Sequence, residues 1–318
     1  MREEGMGNQL DTGAISQRAA WVLLAMVIFF WGVNWPVMKY GLHFVPPLTF
    51  AAFRMVMGAV VLAGVAALRG ELRVPHRADW PIVLGVGLLQ MAAFMGLINV
   101  ALQYVPAGRS AILAYTTPLW VVPLAAWWLG EKLTTLRMVG LVLGMAGVAV
   151  MFNPFGFDWS DPHTVLGNGL LLFAALLWAI LIVQVRGHRW QGSPLSLAPW
   201  QLGIAACAML PFVFMFEDLS TIQWGSSLGW VLLYNGPIAT AFCFWAMLTV
   251  TRALPAITTS LGTLCVPLVG YVSAAIALHE PITLYNTFGF GLILSGLVLA
   301  TYSDWKNNQQ ARKNQIAK

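Results

Sequence analysis

Polar side chains stand inside long apolar runs at Asn34, Gln90, Asn99, Tyr115, Tyr234, Asn235 and Ser260. Lipid offers none of them a hydrogen bond, so each must meet a partner, a cavity or water. Amides, hydroxyls and rings prevail. Trp31 precedes Asn34 by three residues and shares its helical face, while Trp178 and Trp245 add rings in the second half of the chain. A chamber walled by such groups would hold a small zwitterion, amine or neutral metabolite through hydrogen bonds, stacking and cation–π contact. The candidate substrate-binding residues are therefore Trp31, Asn34, Gln90, Asn99, Tyr115, Trp178, Tyr234, Asn235, Trp245 and Ser260. A plainer reading puts the tryptophans in interfacial belts or helix packing and gives the asparagines interhelical hydrogen bonds of about 0.6 kcal/mol each.

Five further residues suggest structural or gating roles. Arg54 lies seven residues beyond Pro47, where an apolar run begins, so it sits roughly 10 Å along a helix. An unpaired charge there would cost several kcal/mol; backbone carbonyls, Glu280 or a substrate carboxylate are the candidate partners. Pro118 and Pro267 each remove a backbone hydrogen bond within a run, as hinges or as inherited kinks. Glu131 and Glu280 close two runs, each followed three residues later by Thr, and suit the positive N-terminal end of the helix that follows. No Asp or Glu lies deep in a run, which disfavours proton coupling through a buried acid.

Enzyme chemistry would need a nucleophile, an acid and base pair or a metal cluster. The five histidines fall at or near the ends of runs, and neither HExxH nor GxxxxGK[ST] occurs. Cys207, Cys243 and Cys265 lack metal-ligand spacing. The expectation is no catalytic residue, no metal and no cofactor. Basic residues are scattered over loops and the C-terminal tail, so no nucleic-acid partner is expected.

The elements that must position these side chains follow from composition. Of the 318 residues, 59% are apolar and 9% charged, against about 25% charged in soluble domains. A soluble enzyme, a disordered chain and a disulfide-rich secreted domain are excluded. Apolar windows of about 20 residues, the length that crosses a bilayer, begin near Ala19, Pro47, Trp80, Ala107, Thr134, Val165, Pro194, Ser227, Pro255 and Thr283. An all-α membrane protein with ten transmembrane helices is expected. Fourteen of the seventeen Lys and Arg then fall on the face shared by the termini and only Lys39 opposite, which places both termini in the cytoplasm.

Sliding the chain on itself matches Trp31 with Trp178, Pro47 with Pro194, Pro118 with Pro267 and Glu131 with Glu280. Two five-helix copies are implied, residues 19–152 and 165–303, between a cytoplasmic N-terminal segment, 1–18, and a basic cytoplasmic tail, 304–318. Five is odd, so the second copy enters from the opposite side, an inverted repeat of the kind transporters use. Gly140, Gly144, Gly147, Gly289 and Gly296 read as small-residue packing faces, serving as a scaffold within the chain or as the surface of a homodimer.

The segments FFWGVNWPVMKYG, PLTFAAFRMVMGAVVL and ALQYVPAGRSAILAYTTPLWVVPLAAWWLGEKLT, echoed by RALPAITTSLGTLCVPLVGYVSAAIALHEPIT, resemble the EamA-type ten-helix members of the drug/metabolite transporter superfamily. The resemblance spans about residues 19 to 303. It implies an inner-membrane carrier of amino acids, amines, carboxylates or other metabolites, often outward. One departure is Leu181-Ile182 where the first copy has Asn34-Trp35. The expected function is alternating-access transport of a small organic metabolite, an amino acid or amine foremost, with the lipid bilayer as its other partner. Two alternatives stand beside it. A carrier of sugar phosphates or nucleotide sugars would want several cavity Lys or Arg, and a non-transporting membrane enzyme or assembly factor would not require the repeat.

Overall fold

The computed structural model describes residues 16–130, 134–152, 160–185, 188, 190–254, 259 and 262–316. Among them, all regular structure is helical. Eight helices are long and apolar enough to cross a membrane: α1 (Gln17–Gly41), α2 (Pro47–Leu68), α3 (Arg77–Ala101), α4 (Ala107–Trp128), α6 (Pro162–Gln184), α7 (Pro194–Phe216), α8 (Ser226–Thr251) and α10 (Leu284–Ser303). Two shorter apolar helices complete the set, α5 (Thr135–Val150) and α9 (Cys265–Leu278). Both lie close to residues outside the described set, 131–133 and 153–159 for α5 and 255–258 and 260–261 for α9, so the described residues hold eight span-length helices and two shorter ones where ten spans are expected.

Local sequence explains the helix starts. Ser16 caps α1 by accepting the Ala19 amide at 3.2 Å, and Ser193 caps α7 by accepting Ser196 at 3.1 Å. Proline opens α2 and α7, where its missing N–H would have had no partner anyway. Large apolar side chains such as Trp127, Phe214, Phe216 and Trp230 stay exposed on the outer flanks, as a lipid-facing surface requires. α10 runs on without a break to Ile316.

The helices pack in pairs: α5 with α10, α2 with α7, α1 with α9, and the second half of α4 with α6. The α5/α10 contact is set by glycine. A Cβ on Gly147 would lie 2.5 Å from the Gly289 carbonyl, and one on Gly296 would meet the Gly140 carbonyl. The small-residue faces are thus spent inside the chain, on one another.

Three helices depart from regular α geometry in their interiors, and a turn precedes a fourth. α3 widens to a π-helix over Val86–Phe94 and α8 over Tyr234–Phe242, segments 148 residues apart. α4 breaks at Tyr115 and Thr116, just before Pro118, and Leu264 forms a turn ahead of Pro267 in α9. At the α4 break the side chains of Thr116 and Thr117 donate to the carbonyls of Leu113 and Ala114, at 2.7 and 3.0 Å. Those hydroxyls occupy carbonyls next to the break, which a lipid environment demands.

Carboxylates distant in sequence clasp three helix starts. Glu217, beyond α7, accepts the Leu48 and Thr49 amides of α2 at 2.7 Å each. Glu280, beyond α9, accepts the Ala107 and Gly108 amides of α4 at 2.6 and 2.9 Å. On the other face, Asp79 accepts the Gln191 and Gly192 amides just ahead of α7, at 3.1 and 2.9 Å, and contacts His188 at 3.0 Å. Free N–H groups and the helix dipole make each start attractive to a carboxylate.

Candidate functional site

Two adjoining chambers lie within the bundle. The larger, about 260 Å³, is walled by Trp31, Gln90, Tyr115, Pro118 and Trp178 together with Val86, Ile182, Phe244, Leu248 and Thr263. Ile182 and Leu248 stand near the ends of α6 and α8, so this chamber lies toward the face that carries residues 69–79 and 188–193. The smaller, about 50 Å³, is reached past the same Trp31, Gln90, Tyr115 and Trp178 and adds Asn34, Met38 and Arg54. Met38 and Ile98 stand near the opposite ends of α1 and α3, so the second chamber lies deeper.

The helix irregularities set these walls. The π-segment of α3 carries Val86, Gln90, Met91 and Phe94 to the two chambers. The π-segment of α8 faces them from behind: the Ala239 carbonyl accepts the Trp31 indole N–H at 2.9 Å, and the Thr240 hydroxyl accepts Arg54 Nε at 3.1 Å. Tyr115, at the break in α4, meets Trp178 edge-on with centroids 6.1 Å apart, and Trp178 leans on Phe94 at 4.8 Å. These contacts fix the rings rather than leaving them to swing.

The expected residues divide as follows. Trp31, Asn34, Gln90, Tyr115 and Trp178 converge on the chambers, with Arg54 and Pro118 beside them. Asn99 and Asn235 do not reach them: both are wholly buried and donate back to carbonyls four residues earlier, Met95 at 2.7 Å and Val231 at 3.0 Å. Tyr234 faces a groove on the flank and donates to the Phe30 carbonyl at 2.8 Å, and Trp245 packs against Phe242. Pro267 is buried within α9. Ser260 and Glu131 lie outside the described residues.

Glu280 does brace a helix start, but that of α4, far away in sequence, rather than the next helix along. Among the described residues Arg54 meets neither Glu280 nor a backbone carbonyl; its Nη1 donates to the Met38 sulfur at 2.8 Å. Glu217 and Asp79 were not anticipated as clasps. Their signal is the proline or glycine at a helix start that leaves amides in want of an acceptor, although nothing local names the acceptor. Lys39, near the end of α1, donates to the carbonyls of Leu102 and Val105 beyond α3. Among the described residues no cluster of His, Cys, Asp and Glu is suited to a metal.

The fold and chambers define a multi-pass membrane protein with polar groups gathered at its centre. The EamA-like transporter family matches residues 19–153 and again residues 165–302, and the chain belongs to that family. It is 33% identical over 279 residues, 87% of this chain and 90% of its relative, to "Uncharacterized transporter YvbV" of Bacillus subtilis (strain 168). A second relative, "Probable amino-acid metabolite efflux pump" of Escherichia coli (strain K12), is 28% identical with 88% of this chain and 94% of the relative covered. A solved crystal structure of 24% identity superposes with a TM-score of 0.62 over 90% of this chain and 99% of that one. At that identity the likeness speaks for the fold alone.

Proposed function

We propose that this protein is an alternating-access carrier that moves a small organic metabolite, an amino acid or close relative, out of the cell across the inner membrane, with both termini in the cytoplasm. The observation that carries the reading is the pair of stacked chambers ringed by Trp31, Gln90, Tyr115 and Trp178, at the centre of a bundle whose two halves each match the same transporter family. The similarity to an efflux pump for amino-acid metabolites supports the substrate class and the outward direction.

Ten helices in two five-helix units of opposite orientation form the machine. Exchanging the first five helices with the last five carries α1 with α9 onto α6 with α4, and α2 with the π-segment of α8 onto α7 with that of α3. The π-segments and the breaks ahead of Pro118 and Pro267 exchange in the same way. Such a relation lets one unit rock against the other about a fixed central site. The larger chamber lies toward the basic, cytoplasmic face, while Glu217 and Glu280 clasp helix starts on the other. This conformer is therefore closed outward.

The test is transport by the purified full-length protein in liposomes, using a broad panel of radiolabelled amino acids and amines with and without a pH gradient. Accumulation of at least one amino acid above protein-free vesicles is expected. Failure to move any compound would overturn the reading, and dependence on the gradient would identify protons as the coupling ion.

A further inference from the structure

Arg54 is 2% exposed and sits about a third of the way along α2. Among the described residues its guanidinium meets the Thr240 hydroxyl at 3.1 Å and the Met38 sulfur at 2.8 Å, and no carboxylate. A thioether is a weak acceptor, and a guanidinium has five N–H groups to place. A full positive charge is thus held in a low-dielectric site without a counter-ion, which is expensive unless something completes it.

The void beside it has the right scale. The smaller chamber, about 50 Å³, borders Arg54 and is continuous through the shared rings with the chamber of about 260 Å³. A cavity of about 10–15 Å³ already holds one water, so the small chamber admits the compact polar head of a metabolite, carboxylate and ammonium together, while the large one holds the rest. Asn34 lines the same small chamber one helical turn before Met38. It is 3% exposed, and its Oδ1 finds no donor among the described residues.

We propose that Arg54 binds the carboxylate of the transported metabolite, with Asn34 Oδ1 accepting from its ammonium group and the rings of Trp31, Tyr115 and Trp178 enclosing its side chain. The proposal rests on the transporter reading above and narrows it to carboxylate-bearing solutes. A guanidinium fork matches a carboxylate bidentately. Phosphate esters would need further cations, and among the described residues Arg54 alone of Lys and Arg borders the two chambers. Simple amines, lacking the anion, leave the cation uncompensated and are refused.

The experiment compares leucine, phenylalanine and threonine with their amino alcohols and decarboxylated amines, as stabilisers of the detergent-purified full chain against heat and as counterflow substrates in liposomes. At least one acid is expected to bind, with its alcohol and amine weaker by roughly 30-fold or more, the lower range for loss of one partner of a buried charge pair. Arg54→Gln should erase that difference. Met38→Glu supplies a carboxylate where NH1 already points; it should fold, match or exceed the wild type in heat stability, and no longer bind acids, so it carries the test should Arg54→Gln not fold. Alcohols or amines binding as tightly as acids, or undiminished acid binding by Met38→Glu, would overturn the Arg54 anchor and leave the transporter standing. If no compound of the broad panel above binds or moves either, the transporter reading itself falls, and the anchor with it.

Discussion

Trp178 touches both the ring that holds it, Phe94, and the ring that closes the chamber, Tyr115. Replacing it with Ala removes a wall without removing a buried hydrogen bond. The expected outcome is a half-saturation constant for transport raised about tenfold, the equivalent of about 1.4 kcal/mol, with unchanged yield of folded protein by size-exclusion chromatography. Asn34→Ala should behave likewise, because its Oδ1 has no protein donor to lose among the described residues; transport at the wild-type rate by either variant would remove that residue from the site. Asn99→Ala is the contrast, since Asn99 Nδ2 serves the Met95 carbonyl inside α3, and its replacement should spare substrate affinity. The aromatic and amide character of the chamber was legible in the residues themselves. Which asparagine faces it was not: Asn34 and Asn99 are alike in type and both buried, and only the packing turns one toward a chamber and the other onto its own helix.

Helix boundaries and interruptions were legible to different degrees. Prolines announced the breaks before Pro118 and Pro267, because a missing N–H is a local property. The π-segments at Val86–Phe94 and Tyr234–Phe242 gave no such notice, since a widened turn is stabilised by what packs against it. The clasps were half legible. Glu280 was recognisable as a capping carboxylate, yet the amides it serves belong to a helix start some 170 residues away in sequence. Glu280→Gln keeps an acceptor but loses the charge, and should destabilise the protein by about 1–2 kcal/mol, read as a lower midpoint of thermal unfolding in detergent. Asp218→Asn, on an exposed residue of a loop, should stay within about 0.5 kcal/mol of wild type. Glycine packing gives a sharper contrast. Gly147→Leu drives a side chain into the Gly289 carbonyl and should abolish recovery of folded protein, whereas Gly291→Ala meets nothing within 4 Å and should be tolerated.

At the scale of the whole molecule, the α5/α10 pair stands apart from the helices that build the chambers, since neither contributes a wall to the two voids. Alternating access therefore predicts motion within α1–α4 and α6–α9 against a stationary pair. Cysteine pairs joining α5 to α10 should leave transport intact, while a pair that ties Glu217 or Glu280 loops to the starts of α2 or α4 should stop it and release it on reduction. The overall architecture was legible because hydropathy and the internal matches report on length and repetition.

One extension of the bundle offers a practical vantage point. α10 continues as helix from Leu284 to Ile316, 33 residues, so its last 13 residues reach about 20 Å beyond Ser303. Anything grafted to that mast turns with the glycine-clasped pair and not with the moving walls. A spin label at Lys306 paired with one near the start of α1 would then work as a ruler: its distance distribution should be single in detergent alone and shift when a transported solute is added.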